Sequence, residues 1–307
     1  MTLIVIAGAT ATGKSDLAVA LAQRIGAEIV NADSMQLYRG MDIGTAKLTH
    51  EERRGVPHHL LDVVDVRTDV TVAWYQERSR AIIDELLAAG TPTIVVGGTG
   101  FYIKAILDDL NFPETDPEVR ARLTAEAEEL GGEEMHRRLS ELDPAAAMAI
   151  PKENIRRVVR ALEVIEITGE PFTANLPRED STRYPAAMQF GLALDRSKLD
   201  ERIDQRVEKM WELGFVREVA ELVKSGLLEG KTAKAALGYS QIIAMAQGVI
   251  SESQAKDLTK LGTRQYARRQ ETWFTRDPRI TWISPDHDLS TRLALIESAI
   301  LKAGTLQ

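Results

Sequence analysis

Cysteine is absent from the 307-residue chain, so disulfides and thiolate zinc sites contribute nothing to its structure or chemistry. Long apolar runs are absent too: none approaches the roughly 20 residues that a membrane-spanning helix needs. A strand-like run already opens at Leu3, which leaves no room for a basic leader and an apolar signal segment. The expectation is a cytoplasmic protein with no membrane partner. Internal repeats and low-complexity tracts are missing. Positive charge is in deficit, with 38 Lys and Arg against 46 Asp and Glu for a net charge of −8, and the sum by itself argues against a nucleic-acid partner. The distribution argues otherwise. Lys152 to Arg160 holds four basic residues (Lys152, Arg156, Arg157, Arg160) against Glu153, and Arg264 to Arg279 holds five arginines against Glu271 and Asp277. Two basic clusters in an acidic chain favour a polyanion. The chain is long enough for one large domain or two modest ones.

What is present begins with Gly8-Ala9-Thr10-Ala11-Thr12-Gly13-Lys14-Ser15, which fits the pattern glycine, four residues, Gly-Lys-Ser/Thr. Leu3 to Ala7 is apolar and β-branched, as a buried strand would be. Leu17, Ala18, Leu21 and Ile25 mark one face of a helix over Asp16 to Ile25. Strand, glycine loop and helix make a backbone nest at a helix N-terminus, and both attract phosphate. Lys14 adds a full positive charge, and the Ser15 hydroxyl is placed to help hold Mg²⁺.

Further along, Ala27 to Val30 reads as a second strand with Asp33 after its carboxyl end, the edge of an open α/β sheet where ligands bind. A turn cap explains Asp33 as readily as a site role does. Gly40 to Lys47 is a glycine-punctuated polar loop. Pro57-His58-His59 leads into a short element, and adjacent histidines on a strand point apart, unsuited to one metal. Helical spacing covers Trp74 to Ala89. Thr93 to Val96 is a buried strand that ends in Gly97-Gly98-Thr99, where a phosphoryl-transfer enzyme of this loop class usually carries an acidic Mg²⁺ ligand. From Phe112 the texture turns charged and helical, through Asp116 to Leu142 and Pro151 to Ile167, with a polar connector at Pro177 to Pro185. Gln189 to Leu194 returns as a strand. Leu199 to Leu213 is an amphipathic helix whose basic stripe carries Arg202, Arg206 and Lys209. The remainder, to Ala303, reads as helical with one break at Asp277-Pro278 and a last strand at Ile280 to Ile283. The fold class is α/β, a parallel-sheet core like that of P-loop NTPases with a mostly helical insertion. The boundaries are 1–111 and 186–307 for the core and 112–185 for the insertion.

In this order the chain resembles the bacterial tRNA dimethylallyltransferases. The matching segments are Gly8 to Ser15, Asn31 to Tyr38, Gly40 to Lys47, Val96 to Tyr102, Arg157 to Glu163, Arg202-Ile203 with Arg206-Val207 and Met210, Leu237-Gly238-Tyr239, and Arg269-Gln270 with Thr272-Trp273-Phe274. Ala9 and Thr12 depart from the family's more frequent Pro and Ser, while Lys14 and Ser15 keep its pattern. The resemblance implies transfer of a dimethylallyl group from dimethylallyl diphosphate to N6 of the adenosine 3′ of the anticodon, in tRNAs reading codons that begin with U. It implies that Gly8, Ala9, Thr10, Ala11, Thr12, Gly13, Lys14 and Ser15 hold the diphosphate with Mg²⁺, helped by Arg202 or Arg206. It makes Asp33 the carboxylate that orients the amine and takes its proton, with Thr99 beside diphosphate or base. Contacts to the tRNA anticodon stem-loop would come from Asp33, Ser34, Met35, Gln36, Thr99, Arg120, Arg156, Arg157, Arg160, Gly238, Tyr239, Arg268, Arg269, Gln270 and Trp273. A monomer is expected. Three alternatives share part of the pattern. A small-molecule kinase would use the loop for ATP, an RNA-binding module would leave Lys14 and Asp33 idle, and a prenyltransferase acting on free adenine nucleotide would need no arginine-rich regions.

Overall fold

The computed structural model describes residues 2–175 and 181–304. The chain forms two compact units, Met1–Leu107 with Tyr184–Gln307, and Asp108–Arg183.

The larger unit is built on six parallel strands: β1 (Leu3–Gly8), β2 (Glu28–Asn31), β3 (His58–His59), β4 (Thr93–Gly97), β5 (Met188–Leu192) and β6 (Ile280–Ile283), in the spatial order β3-β2-β4-β1-β5-β6. Parallel strands buried on both faces need apolar residues at successive positions, and all six residues of β1 are buried. Alternation then sorts them. Ile4, Ile6, Ile29 and Ile94 join one core with Leu17, Leu21, Leu293 and Ile296. Leu3, Val5, Val30 and Val95 join the other with Tyr75, Ile83, Ile106 and Phe215. The first core uses α1 (Lys14–Ile25) and a helix at Leu289–Lys302; the second uses α2 (Val72–Ala88), α3 (Gly100–Leu107) and the helices after β5. The Thr71 hydroxyl accepts from the Trp74 amide at 3.2 Å, so α2 begins at Val72, two residues before the apolar pattern that marks it in the sequence.

The helical unit contains α4 (Pro117–Leu130), α5 (Gly132–Leu142), α6 (Pro144–Ala149) and α7 (Ile155–Thr168) around Leu123, Met135, Leu139, Val158 and Leu162. Asp116 and Asp143 cap α4 and α6, each with proline in the first turn. The connector read from Pro177 to Pro185 lies partly outside the described residues.

Beyond β5 come α8 (Arg196–Glu212), α9 (Phe215–Lys224), α10 (Tyr239–Ala246), α11 (Glu252–Phe274) and, after β6, α12 (Leu289–Lys302). α8 starts three residues before its apolar stripe, because its first turn is charged and shows no periodicity. The single break expected in this region is an underestimate. Gly214, Gly226, Gly238 and Gly248, all at positive φ, separate α9, α10 and α11 well before Asp277-Pro278. Among the described residues no helix is long and apolar enough to cross a membrane.

Candidate active site

Strand order alone brings the site together. β4 lies between β1 and β2, with Ala7 opposite Gly97 and Asn31 opposite Val96. The phosphate loop after β1, Gly98-Thr99 after β4 and Asp33 after β2 therefore meet at one carboxyl edge, the place where such sheets bind ligands.

The loop closes on itself. Thr12 Oγ1 donates to the Ala9 carbonyl at 2.8 Å and Lys14 Nζ to the same oxygen at 2.5 Å. Gly13 has φ 89° and precedes the first turn of α1, a left-handed conformation that glycine adopts without a Cβ penalty. Ala11 also stands at positive φ, 63°. Ala9 and Ala11 pack under Leu199, Ile203 and Ala267, so α8 and α11 cover the loop from outside the sheet. The small side chains at these two positions suit that close packing. Arg206 Nη1 lies 3.4 Å from Thr10 Oγ1, whereas Arg202, one turn earlier on α8, is exposed. Burial, and then the Arg206 charge, lower the Lys14 ammonium to about 7 against the opposing pull of Asp33. Burial, with Arg202 nearby, likewise lowers Arg206. Cations held under such strain are poised for an anion.

Asp33 is held by its neighbours. Asn31 Oδ1 accepts from the Asp33 amide at 3.0 Å, and Asn31 Nδ2 donates to the carbonyls of Asp33 at 2.9 Å and Leu60 at 3.0 Å. Tyr75 Oη donates to the Asn31 carbonyl at 2.8 Å. Asp33 Oδ1 accepts from the Met35 amide at 2.9 Å and the Gln36 amide adds to the same carboxylate, so the turn-cap role is real. Burial raises the Asp33 pKa, against the opposing effects of the Met35 amide and Lys14. Thr99 Oγ1 accepts from the Ser34 amide at 3.2 Å and so ties β4 to the Asp33 turn.

Two adjoining cavities share Thr10, Asp33, Arg206 and Tyr266. One of about 560 Å³ runs along Gly13, Lys14 and Ser15 to Ile43 and Leu48. The other, about 260 Å³, is lined by Ser34, Met35, Leu237, Tyr239 and Arg269. Asp33 thus faces both a phosphate-binding loop and a mainly apolar pocket large enough for a base.

The loop from Gly40 to Lys47 also borders both, through Thr45 and Ala46. Glu218 of α9 accepts the amides of Asp42, Ile43 and Gly44 at 3.1, 2.7 and 3.2 Å. The Lys47 ammonium, with its side chain only 2% exposed, donates to the Tyr38 carbonyl, Asp42 and Asp62 at 2.9, 2.7 and 2.5 Å. Lys47 is thereby a clamp for the loop.

The other expected site residues divide by exposure. Arg156, Arg157, Arg268, Arg269 and Trp273 are exposed. Gln36 Nε2 donates to the Thr45 carbonyl at 3.1 Å. Tyr239 is fully buried, its hydroxyl donating to Glu218 at 2.6 Å, and Gly238 is buried against Phe215. Arg120 and Arg160 both pair with the buried Glu163. Gln270 is buried, with both ends of its amide bonded to backbone. Sequence reasoning missed Asn31, Tyr266, Lys47 and Glu218 as site residues. Asn31 had a signal, an Asx residue at a strand end two positions before Asp33. Tyr266, which burial pushes up to about 12, sits among the arginines of α11. Glu218 had none, because the three loop amides it accepts lie more than 170 residues away.

Comparison with known proteins places this geometry. The IPP transferase family model matches residues 36–277. The chain is 58% identical over 290 residues to the tRNA dimethylallyltransferase of Thermobifida fusca, covering 93% of this chain and 90% of that protein. Among solved structures it is similar to the full-length tRNA isopentenylpyrophosphate transferase of Bacillus halodurans, at 37% identity and TM-score 0.72 over 99% and 96% of the two chains. It is also similar to a eukaryotic dimethylallyltransferase described as acting on tRNA, at 25% identity and TM-score 0.84 over 99% and 80%.

Proposed function

The chain belongs to the IPP transferase family, and on that premise we propose that it transfers a dimethylallyl group from dimethylallyl diphosphate to N6 of the adenosine 3′ of the anticodon in tRNAs reading codons that begin with U. The observation that carries this reading is Asp33 on the shared wall of two cavities, one of which ends at the phosphate loop.

In this reading the diphosphate lies along Gly8 to Ser15, against Lys14 and Arg206, with Arg202 adding to the field from the surface. The alkyl chain lies towards Ile43 and Leu48, and the base enters the smaller cavity beside Ser34 and Met35. The N6 lone pair forms the bond to C1, the C1–O bond breaks, and the electron pair leaves with diphosphate. The amine proton passes to Asp33. A carboxylate whose pKa is raised is a stronger base than one in water. Cations fixed before reaction stabilise the charge that develops on the leaving group. Thr99, by fixing the Ser34 amide, keeps that carboxylate in register with β4.

Mg²⁺ fits the donors present. Among the described residues no group of three or more His, Cys, Asp or Glu could hold a metal, and an ion that takes most of its ligands from diphosphate oxygens and water needs no such group. Ser15, which lines the cavity, would hold it. When bound, it adds positive charge at the leaving group.

The helical insertion, read as residues 112–185, contacts the anticodon stem-loop through Arg156 and Arg157, with the exposed parts of Arg120 and Arg160, the latter also held by the Pro113 and Glu114 carbonyls. Arg268, Arg269 and Trp273 add contacts from α11, while Gly238 and Tyr239 shape the pocket wall. The target base is splayed from its loop, as enzymes acting on bases require. In this reading the enzyme acts as a monomer in the cytoplasm.

The test is incubation of purified protein with labelled dimethylallyl diphosphate, Mg²⁺ and unmodified tRNA, beside AMP and ATP controls. Label in tRNA is expected. Label only in AMP would make the enzyme a nucleotide prenyltransferase, and phosphorylated product formed only with ATP would make it a kinase.

A further inference from the structure

Gln270 of α11 lines the larger cavity and is only 5% exposed. Its Oε1 accepts the Thr10 amide at 2.9 Å, and its Nε2 donates to the Gly98 carbonyl at 2.8 Å. Any Cβ at Gly98 would collide with that Nε2, so the glycine after β4 is the space the amide occupies. The bridge joins two halves of the reaction. Thr10 belongs to the phosphate loop and touches Arg206 through its hydroxyl. Gly98 precedes Thr99, whose hydroxyl holds the amide next to Asp33.

We propose that Gln270 is a positioning residue that sets the phosphate loop at a fixed distance from the Asp33 turn, and that it does not read RNA. Both ends of the amide are committed, one as acceptor and one as donor. Only a group with both capacities in that orientation satisfies Thr10 N–H and Gly98 C=O together. The bond occupies the Thr10 amide, so the loop's anion nest is shaped by a side chain from far along the chain. Loss of the bridge leaves the buried Gly98 carbonyl and the half-buried Thr10 amide without this partner and frees the loop to shift. Misplacement of reacting groups by about 1 Å can lower a rate by 10²-fold.

The inference rests on the function proposed above, so its primary readout is binding of inorganic diphosphate, which requires no transfer to tRNA. Gln270→Met keeps the volume and removes both bonds. It is expected to weaken diphosphate binding at least tenfold and to lower kcat for transfer, with tRNA affinity within twofold of the parent. Gln270→Glu supplies a second arm. Its carboxylate can accept from Thr10 but cannot donate to Gly98, while its protonated form can do both, so its binding deficit relative to the parent should shrink as pH falls from 8 to 6. The Gln270→Met deficit, by the same ratio, should stay level. Should Gln270→Met fail to fold, the pH-dependent recovery of Gln270→Glu decides the matter. Parent-like diphosphate binding and kcat in Gln270→Met would overturn the proposal, as would a loss of tRNA affinity with diphosphate binding intact. A parent enzyme that binds diphosphate yet prenylates no tRNA would count against the proposed function and leave this bridge standing.

Discussion

In the helical unit Glu163 has no exposed side-chain surface, and the fold surrounds it with cations: Arg120 Nε donates to it at 2.9 Å, Arg160 lies 3.1 Å away, and the Asp116 amide adds a bond at 3.2 Å. In the sheet unit Asp33 lines both cavities, with backbone amide bonds from Met35 and Gln36 and no cation in direct contact among the described residues, Lys14 acting on it only through the field. A buried carboxylate costs much of its hydration, and pairing it with hydrogen-bonded cations restores what burial removes. Glu163 has that compensation and serves to fasten α4 to α7. Asp33 lacks it, keeps a raised pKa, and so holds the basicity that a proton acceptor needs. The partner set, more than burial itself, separates a structural carboxylate from a chemical one.

The contrast is broken most directly at Asp33. Replacing it with Ala is expected to lower turnover at least ~10²-fold, the usual scale for a positioned general base, with little loss of stability in urea unfolding. Parent-like turnover would return Asp33 to turn capping alone. Next in size is Lys14→Ala, which removes a charge-assisted contact and should weaken diphosphate binding roughly 10- to 100-fold in titration calorimetry. Glu163→Gln belongs to the other side of the comparison. Its effect should appear in unfolding, as roughly 1–3 kcal/mol from lost charged hydrogen bonds; a variant as stable as the parent would show that the pairs merely decorate the helices.

Two pH effects sharpen the same distinction. Burial, and then the Arg206 charge, lower the Lys14 pKa from its ordinary value of 10.5 to about 7. In the free protein, then, the charged form prevails below about pH 7. Diphosphate favours that form, so its affinity should fall above pH 7, by up to tenfold per unit, with proton uptake on binding. The sign for stability is opposite to that of an ordinary ion pair. The unfolded chain binds more protons between about 7 and 10.5, so this residue adds stability as pH rises through that window. Asp33 works from the acid side: its raised pKa predicts that turnover falls as pH drops, beginning above the usual carboxylate range. The smallest effect concerns RNA. Arg156→Ala and Arg157→Ala should each lower the slope of log affinity against log salt by about one.

Much of this was legible in the sequence because its signals are local. The loop pattern, the β-branched runs of β1 and β4 and the positions of Lys14, Asp33 and Thr99 each depend on a few consecutive residues. The sheet order places them together, and the alternation of Ile4 and Ile6 with Leu3 and Val5 anticipates the two cores. The illegible part is long-range. Nothing near Glu218 announces that it will accept three amides of the Gly40 to Lys47 loop, and nothing near Gln270 points to Gly98. Arg202 and Arg206 are equivalent on a helical wheel to within one turn. Only the packing of α8 on the loop turns Arg206 inward and leaves Arg202 in solvent. Helix breaks at Gly226 and Gly248 escaped because polar helices and polar turns share a composition.

The position of β1 between β4 and β5 has a consequence for synthesis. The phosphate loop directly follows β1, yet the strand on one side of β1 is complete only at Leu192 and the amide that anchors Thr10 lies 260 residues away. Its apolar strand must wait unpartnered on that side while the rest of the chain emerges. Such distant closure slows folding and leaves a sheet edge open to other chains. A chain ending before α11 would carry the whole phosphate-binding pattern and still lack the contact that shapes it: the first-written part of the site is the last to be finished.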